Sequence, residues 1–324
     1  MITGADSSEI SSVKSFLHDQ FKIKDLGCLN YFLGIEVHYS DSGVFLHQRK
    51  FILDLLDDFH CSDVSLVLCP LELFAKLKAH VGDPLPKPDV YRSLIGKLNF
   101  LTHTRPDICF VVQHLSQFLQ SPCLPHMQAA LHVLRYLKGT SDCGIFFNNS
   151  SDLSLTICCD SDWVACINTK RSMSGYCVFL GGSLVVWKSK KQPVVSVSSS
   201  KAEYRAMRKV VAELAWLSHL LSYLGLHSSL IPLFWDSQAA IHIAKNLVFY
   251  DRTKHIELDF HLVRAKLAEG LIHLLHTSSS SQLADIFTKS LGGAAHHGFL
   301  SKLGVLSPSN LGEGGVRDIP PTLD

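Results

Sequence analysis

Apolar positions near the start of the chain recur at helical spacing. Ile10, Val13, Phe16 and Leu17 repeat every three or four residues, which predicts a helix over Ser7 to Phe21. Two apolar runs follow, Tyr31 to Val37 and Val44 to Gln48. The polar stretch Ser40-Asp41-Ser42-Gly43 between them makes a β-hairpin. Helical spacing returns over Lys50 to Phe59, and the proline-dense stretch Gly82 to Pro88 reads as a connector. The next region is mostly helical. Tyr91 to His103, Cys109 to Leu119 and Pro125 to Leu137 carry apolar faces, with Arg105-Pro106-Asp107 as punctuation and a stop at Gly139.

Beyond the polar turn Asn148 to Asp152 the order becomes regular. Strands are expected at Leu153 to Cys159, Gly175 to Leu180 and Ser183 to Trp187. A long helix follows from Ser199 to Leu224, then a strand at Leu230 to Trp235 and a helix at Ala239 to Lys245. A helix over Ile256 to Glu269, a strand over Leu271 to His276 and a helix over Gln282 to Leu291 complete the set. Three strands in succession, then alternating helices and strands, predict an α/β domain with a mixed sheet covered by helices. Ser278 to Ser281 reads as a loop, and the Gly- and Pro-rich tail Ser307 to Asp324 as disordered. The chain divides on this basis at 1–77, 78–150, 151–292 and 293–324.

Composition narrows the classes. At 47% hydrophobic and 18% charged residues over 324 positions, a folded core is expected rather than disorder. No apolar run approaches the roughly 18 residues of a membrane span, and the N-terminus carries no secretory leader. The ten cysteines form no C-x-x-C pair, so reduced thiols in an intracellular, soluble protein of cytoplasm or nucleus are expected. A net charge of +1 gives no global nucleic-acid signature, which leaves only local basic clusters. Two stand out, Lys188-Ser189-Lys190-Lys191 and Arg252-Thr253-Lys254. On composition alone each is more often a solvated surface than a binding site.

The acids carry the chemistry. Asp160 ends an apolar strand, where an acid commonly caps a turn. Glu203 lies in the first turns of the long helix, where it could serve the helix dipole. Asp236 ends the run Leu230 to Trp235 and could be an N-cap. Together they mean more. If the two strands are neighbours, the carboxylates converge at one edge beside the helix. Three clustered carboxylates repel and call for a cation, and hard oxygen ligands favour Mg²⁺ or Mn²⁺ over zinc. Two such ions about 3.5–4 Å apart activate water and stabilise the leaving oxygen in phosphodiester cleavage.

The segments CCDSDWVACINTKRSMSGYCVFLGGSLVVWKSKKQPVVSVSSSKAEYRA, WDSQAAIHIA, DRTKHIELDFHLVR and SSQLADIFTKSL, in this order, closely resemble the ribonuclease H domain of plant copia-type retrotransposon Pol polyproteins. The resemblance implies a ribonuclease H-like fold with metal-binding acids at Asp160, Glu203 and Asp236. Asp285 looks like the fourth acidic position, where a helix cap is an equal reading. Asp162 is expected to face elsewhere and to be structural. Arg171, Lys188, Lys190, Lys191, Arg252 and Lys254 become candidates for phosphate contacts, and His255 for a contact to the substrate backbone. His255, His261, His273 and His276 show no metal-ligand spacing of their own. The chain departs from the family at Val164 and Ala165, where a small residue and glycine are usual, and at Lys201 and Ser237.

The first half resembles the same polyprotein. FKIKDLGCLNYFLGIEVHYSDSGVFLHQRKFI is similar to the palm hairpin of copia-type reverse transcriptases. YRSLIGKLNFLTHTRPDICFVVQHLSQF and ALHVLRYLKGT are similar to the thumb and connection region. A partial palm and thumb α+β region is therefore expected ahead of the ribonuclease H-like domain. In the family a Tyr-x-Asp-Asp motif lies upstream of a segment like Ile2-Thr3-Gly4, and Asp6, Asp25 and Asp41 lack its strand-turn context. A truncated polymerase without polymerase activity is expected, with apolar surface left exposed in the first segment. The resemblance thus implies metal-dependent cleavage of RNA in RNA–DNA hybrids, with other Pol and Gag products as further partners. The competing reading is a decayed remnant that binds nucleic acid without turnover.

Overall fold

The computed structural model describes residues 6–73, 76–226, 230–245 and 257–311. Helix α1 (Ser7–Phe21) starts where the Asp6 carboxylate accepts the N–H groups of Ser8 and Glu9 at 2.8 and 3.2 Å. It stops at Lys22, which turns left-handed at φ 52°. Its apolar stripe forms as the spacing requires, yet no residue of it is buried and Phe16 is 61% exposed.

The run expected as one strand over Tyr31 to Val37 is two, β1 (Tyr31–Phe32) and β2 (Ile35–Ser40). Leu33 and Gly34 take positive φ (48° and 82°), so the chain reverses and Tyr31 pairs antiparallel with Glu36. β2 and β3 (Gly43–His47) form the expected hairpin, followed by α2 (Arg49–Asp58). Helices α3 (Pro88–Leu101), α4 (Cys109–Leu115) and α5 (Leu124–Gly139) occupy the next stretch. The helix expected to reach Leu119 tightens to a 3₁₀ turn at Ser116–Phe118. The stretch expected to be helical ends in a strand, β4 (Gly144–Asn148), which pairs antiparallel with β3 and so joins the first sheet.

The apolar faces of α2 to α5 meet in one core, with Ile52, Leu55, Tyr91, Leu98, Ile108 and Leu134 fully or almost fully buried. The punctuating Arg105-Pro106-Asp107 is built into that core. The buried Arg105 guanidinium donates to both Asp107 oxygens at 3.0 and 2.8 Å, and the Tyr136 hydroxyl donates to Oδ2 at 2.7 Å. A buried charge is tolerated only when it is paired in this way.

The second sheet contains β5 (Leu155–Asp162), β6 (Met173–Leu180) and β7 (Ser183–Lys191) as an antiparallel meander. The long helix α6 (Ser199–Tyr223) follows. Then come β8 (Ile231–Trp235), α7 (Gln238–Lys245), α8 (Glu257–Ala268) and β9 (Ile272–His276). β8 pairs parallel to β5, and β9 pairs parallel to β8, giving the order β7-β6-β5-β8-β9. This five-stranded mixed sheet with its covering helices is the α/β arrangement expected from the order of elements.

One sheet face packs on α6 through Ile157, Cys159, Tyr176, Val210 and Trp235. The other packs Cys158, Cys177 and Phe179 on Leu283–Phe287 and on α9 (Gly293–Lys302). Burial on both faces explains why β5 reads as a continuous apolar run.

The helix expected over Gln282 to Leu291 is instead a 3₁₀ turn at Leu283–Phe287, with all five residues buried. Gln282 holds it there. Its amide donates to the Cys159 carbonyl at 3.0 Å and its oxygen accepts the Ala284 N–H at 3.2 Å. β10 (Val305–Leu306) returns to pair antiparallel with β4, and α10 (Pro308–Leu311) occupies the start of the tail expected to be disordered. Residues 312–324 of that tail lie outside the described residues. The second sheet is tied to the end of α3 through β7, where the Trp187 indole donates to the Thr102 carbonyl at 3.0 Å. No described helix is long and apolar enough to cross a membrane.

Candidate active site

Asp160 lies inside β5 rather than at its end, because the strand runs on to Asp162 and pairs Asp160 with Gly175 of β6. A Cβ on Gly175 would stand 2.6 Å from the Phe287 Cβ and 2.8 Å from the Thr288 Cγ2. Only glycine lets the 3₁₀ turn approach the strand so closely. That approach brings the Thr288 hydroxyl to Asp160 Oδ2, to which it donates.

Glu203 is the fifth residue of α6, and the helix is capped by another residue, Ser198, whose Oγ accepts the Lys201 N–H at 3.3 Å. Asp236 follows β8, but the cap of α7 is Ser237, whose Oγ accepts the Ala240 N–H at 3.3 Å. The structural duties that could have explained these two acids are carried by their neighbours.

The three carboxylates converge. Ligand atoms from Asp160, Glu203 and Asp236 all lie within 4.8 Å of one another. Each is held from outside the cluster. The Trp235 indole N–H donates to Glu203 Oε2 at 2.9 Å, and the Ser279 hydroxyl donates to Asp236 Oδ2 at 3.2 Å. Buried Gln192 ties the supporting elements together, donating to Ser174 Oγ at 2.9 Å and to the Ala202 carbonyl at 2.8 Å.

Electrostatics follow from this crowding. Burial first, then the charges of Asp160 and Asp236, push the Glu203 carboxyl up to about 9. Burial also raises Asp160, against the opposing pull of Thr288 and Lys289. Three oxygen donors this close suit a hard divalent ion, whose charge would offset their mutual repulsion.

Asp285 sits beside the cluster but outside the set of three. Its Oδ2 is 2.9 Å from Lys289 Nζ, and its Oδ1 is buried without a hydrogen-bond partner among the described residues. Burial and the Asp160 charge raise it to about 7. Asp162 does not face away as expected. Residues two apart on a strand share a side, and burial followed by the Asp160 charge lifts Asp162 to about 6. Burial works against the charge of Lys289, but Asp285, Asp160 and Asp162 outweigh it and hold the ammonium above its ordinary value.

The basic candidates divide. Lys188 and Lys190 pair with Tyr176 and Ser174 on the α6 side of β7. With Arg205, Arg208 and Lys209 of α6 they line a groove of about 780 Å³. Lys191 also borders this groove, but its ammonium donates to Gln117 Oε1 at 2.7 Å. Arg171 stands in the loop between β5 and β6 and is not among the residues lining the groove. Arg252, Lys254 and His255 lie outside the described residues. Arg205, Arg208 and Lys209 were not singled out from sequence, although their i, i+3, i+4 spacing on a helix marks one basic face. Thr288 and Lys289 lie in the resembling segment SSQLADIFTKSL but were not singled out, since their contacts depend on the turn that carries them to β5.

Residues 1–73 match the family model described as reverse transcriptase (RNA-dependent DNA polymerase). The Pol polyprotein of transposon RE2 from Arabidopsis thaliana is 39% identical over 307 residues, covering 94% of this chain and 21% of the polyprotein. An uncharacterized mitochondrial protein of Arabidopsis thaliana is 39% identical over 219 residues, covering 67% of this chain and 90% of that protein. The chain belongs to the copia-type retrotransposon Pol family. It spans about a fifth of the length of the Pol polyproteins it matches. Among solved structures, the ribonuclease H1 LC11 in complex with an RNA/DNA hybrid is 14% identical, covering 41% of this chain and 93% of that one at a TM-score of 0.33. Within the Pol family frame, the acid cluster lies in the part of the chain beyond the matched reverse-transcriptase segment.

Proposed function

We propose that the chain is a divalent-metal-dependent endonuclease that cleaves the RNA strand of RNA–DNA hybrids, with the reaction placed in residues 151–292. The observation that carries this reading is the convergence of Asp160, Glu203 and Asp236, whose ligand atoms lie within 4.8 Å of one another on neighbouring elements. Membership of the Pol family supports the substrate class.

Asp160, Glu203 and Asp236 would hold Mg²⁺ or Mn²⁺, and Asp285 would add its charge from the side. Two ions bound there supply water activation and stabilise the leaving oxygen. The remaining work belongs to the chain. Trp235 fixes the direction of Glu203, which orients the attacking water, and Thr288 fixes Asp160. Lys188, Lys190, Arg205 and Arg208 present positive charge to the phosphates of the hybrid along the groove beside α6. An A-like duplex would be read there by backbone shape and 2′-hydroxyl contacts rather than by base sequence.

The test is incubation of the purified chain with a labelled RNA–DNA hybrid in Mg²⁺ or Mn²⁺, beside Asp236→Asn and an EDTA control. Metal-dependent cleavage by the native chain and its loss in Asp236→Asn are expected. A folded native chain that binds the hybrid without cleaving it would replace this reading with that of a passive binder. Equal cleavage by Asp236→Asn would place the activity elsewhere.

A further inference from the structure

The hairpin of the first sheet gathers a second set of metal-binding side chains, remote in sequence from the acid cluster. Glu36 and His38 are two apart on β2 and so share a face. Glu36 pairs in register with His47 of β3, which puts the third side chain on that same face. One ligand atom from each of the three lies within 4.8 Å of the others. The imidazoles of His38 and His47 stack with centroids 4.8 Å apart and planes 4° from parallel, and His47 Nδ1 is 3.5 Å from Glu36 Oε1.

We infer that Glu36, His38 and His47 form a binding site for a borderline divalent transition metal, zinc foremost.

The chemistry of the donors selects that class. Two imidazoles and one carboxylate suit zinc, with three protein ligands leaving a fourth position open. Mg²⁺ and Ca²⁺, which prefer all-oxygen shells, are disfavoured. The ligands are also oriented by their surroundings, as metal ligands commonly are. The first backbone amides of α2 hold two of them: Lys50 N–H donates to Glu36 Oε1 at 2.9 Å, and Arg49 N–H to His47 Nδ1 at 3.2 Å. The Arg49 bond occupies the Nδ1 lone pair of His47, so a metal bound at Nδ1 would take the place of that N–H.

His47 is buried, with Phe45 behind it at 5.1 Å between ring centroids, while His38 is exposed and leaves the site reachable from solvent. The close approach of β4 closes the far side. A Cβ on Gly144 would stand 2.6 Å from the His47 Cβ. Supporting the start of α2 accounts for Glu36 and His47, but it gives His38 nothing to do. Metal binding employs all three.

The experiment uses the 324-residue chain carrying Asp160→Asn and Asp236→Asn, so that the acid cluster no longer competes. After EDTA treatment it is titrated with Zn²⁺ alone by calorimetry, and its thermal midpoint is followed with and without Zn²⁺. Stoichiometric one-to-one binding, a midpoint raised by Zn²⁺ and indifference to millimolar Mg²⁺ are expected. Adding His38→Ala should weaken zinc binding at least tenfold while leaving the metal-free midpoint unchanged, because the side chain is exposed. Glu36→Gln keeps an oxygen for the Lys50 N–H and should show the same loss, which guards against a folding defect in the first variant. Zinc affinity unchanged by both substitutions would overturn the inference. So would the absence of stoichiometric zinc binding by the parent.

Discussion

The Trp235 indole N–H donates to Glu203 Oε2 at 2.9 Å, so the residue directly before one acid of the cluster holds another in place. Trp235 is fully buried in the α6 core, and its ring position is therefore fixed by packing. Trp235→Phe keeps most of the apolar packing and removes the donor. A fall in kcat of roughly tenfold or more is expected with KM for the hybrid little changed, since the orientation of a catalytic group suffers rather than binding. A rise in KM alone would show that Trp235 serves substrate binding instead.

Without metal, Glu203 makes the fold sensitive to alkali. Its carboxyl lies at about 9 in the folded chain and near 4.5 when unfolded, so the folded state holds the extra proton between those values. Stability contributed by this group is complete below about pH 4.5 and is lost as pH rises towards 9. Asp285, Asp162 and Asp160 are raised and act with the same sign. Urea midpoints in EDTA should therefore fall from pH 5 to pH 9, and Glu203→Gln should fall less steeply. Added Mg²⁺ should restore the native chain most at high pH. A Glu203→Gln chain with the native slope would contradict this.

Binding of the hybrid should depend on the groove beside α6. Lys188 and Lys190 line it from β7, opposite Arg205, Arg208 and Lys209. Replacing Lys188 and Lys190 with alanine should weaken binding across all sequences and flatten the log–log salt dependence by roughly 0.9 for each phosphate no longer neutralised. Fluorescence anisotropy at several salt concentrations measures both. Weaker binding with an unchanged salt slope would mean that these lysines do not meet phosphates.

Val164 takes a left-handed conformation at φ 58°, which a β-branched residue adopts at a cost. It follows Trp163, in the place where the family favours small residues. Val164→Gly should raise stability by about 1 kcal/mol in urea denaturation, after the greater backbone entropy of unfolded glycine is offset. A destabilised Val164→Gly chain would show that the apolar packing of Val164 outweighs the strain.

Much of the second sheet was legible in the sequence because its elements are long and their patterns unambiguous. The 25-residue helix α6 and the apolar run of β5 lie where the spacing put them. The convergence of the three acids was legible through order and resemblance together. What escaped depends on contacts between distant segments. The expected helix after Gln282 becomes a buried 3₁₀ turn because Gly175, more than 100 residues earlier, admits it against β6. The pattern Gly-Ile-Phe-Phe-Asn of β4 is too short to declare itself beside three helices, and becomes a strand only by pairing with β3. Asp162 escaped for a local reason: the apolar run ends at Cys159, but β5 continues to Asp162 and turns it to the side of Asp160.

The central claim is that Asp160, Glu203 and Asp236 act as one unit. The most direct measurement compares single-turnover cleavage of an RNA–DNA hybrid by Asp160→Asn, Glu203→Gln and Asp236→Asn with that by the triple variant, in Mg²⁺ and with folding verified. Groups that act together are lost together, so each single substitution should cost nearly as much rate as all three. Metal-dependent cleavage persisting in the triple variant at the native rate would contradict the account.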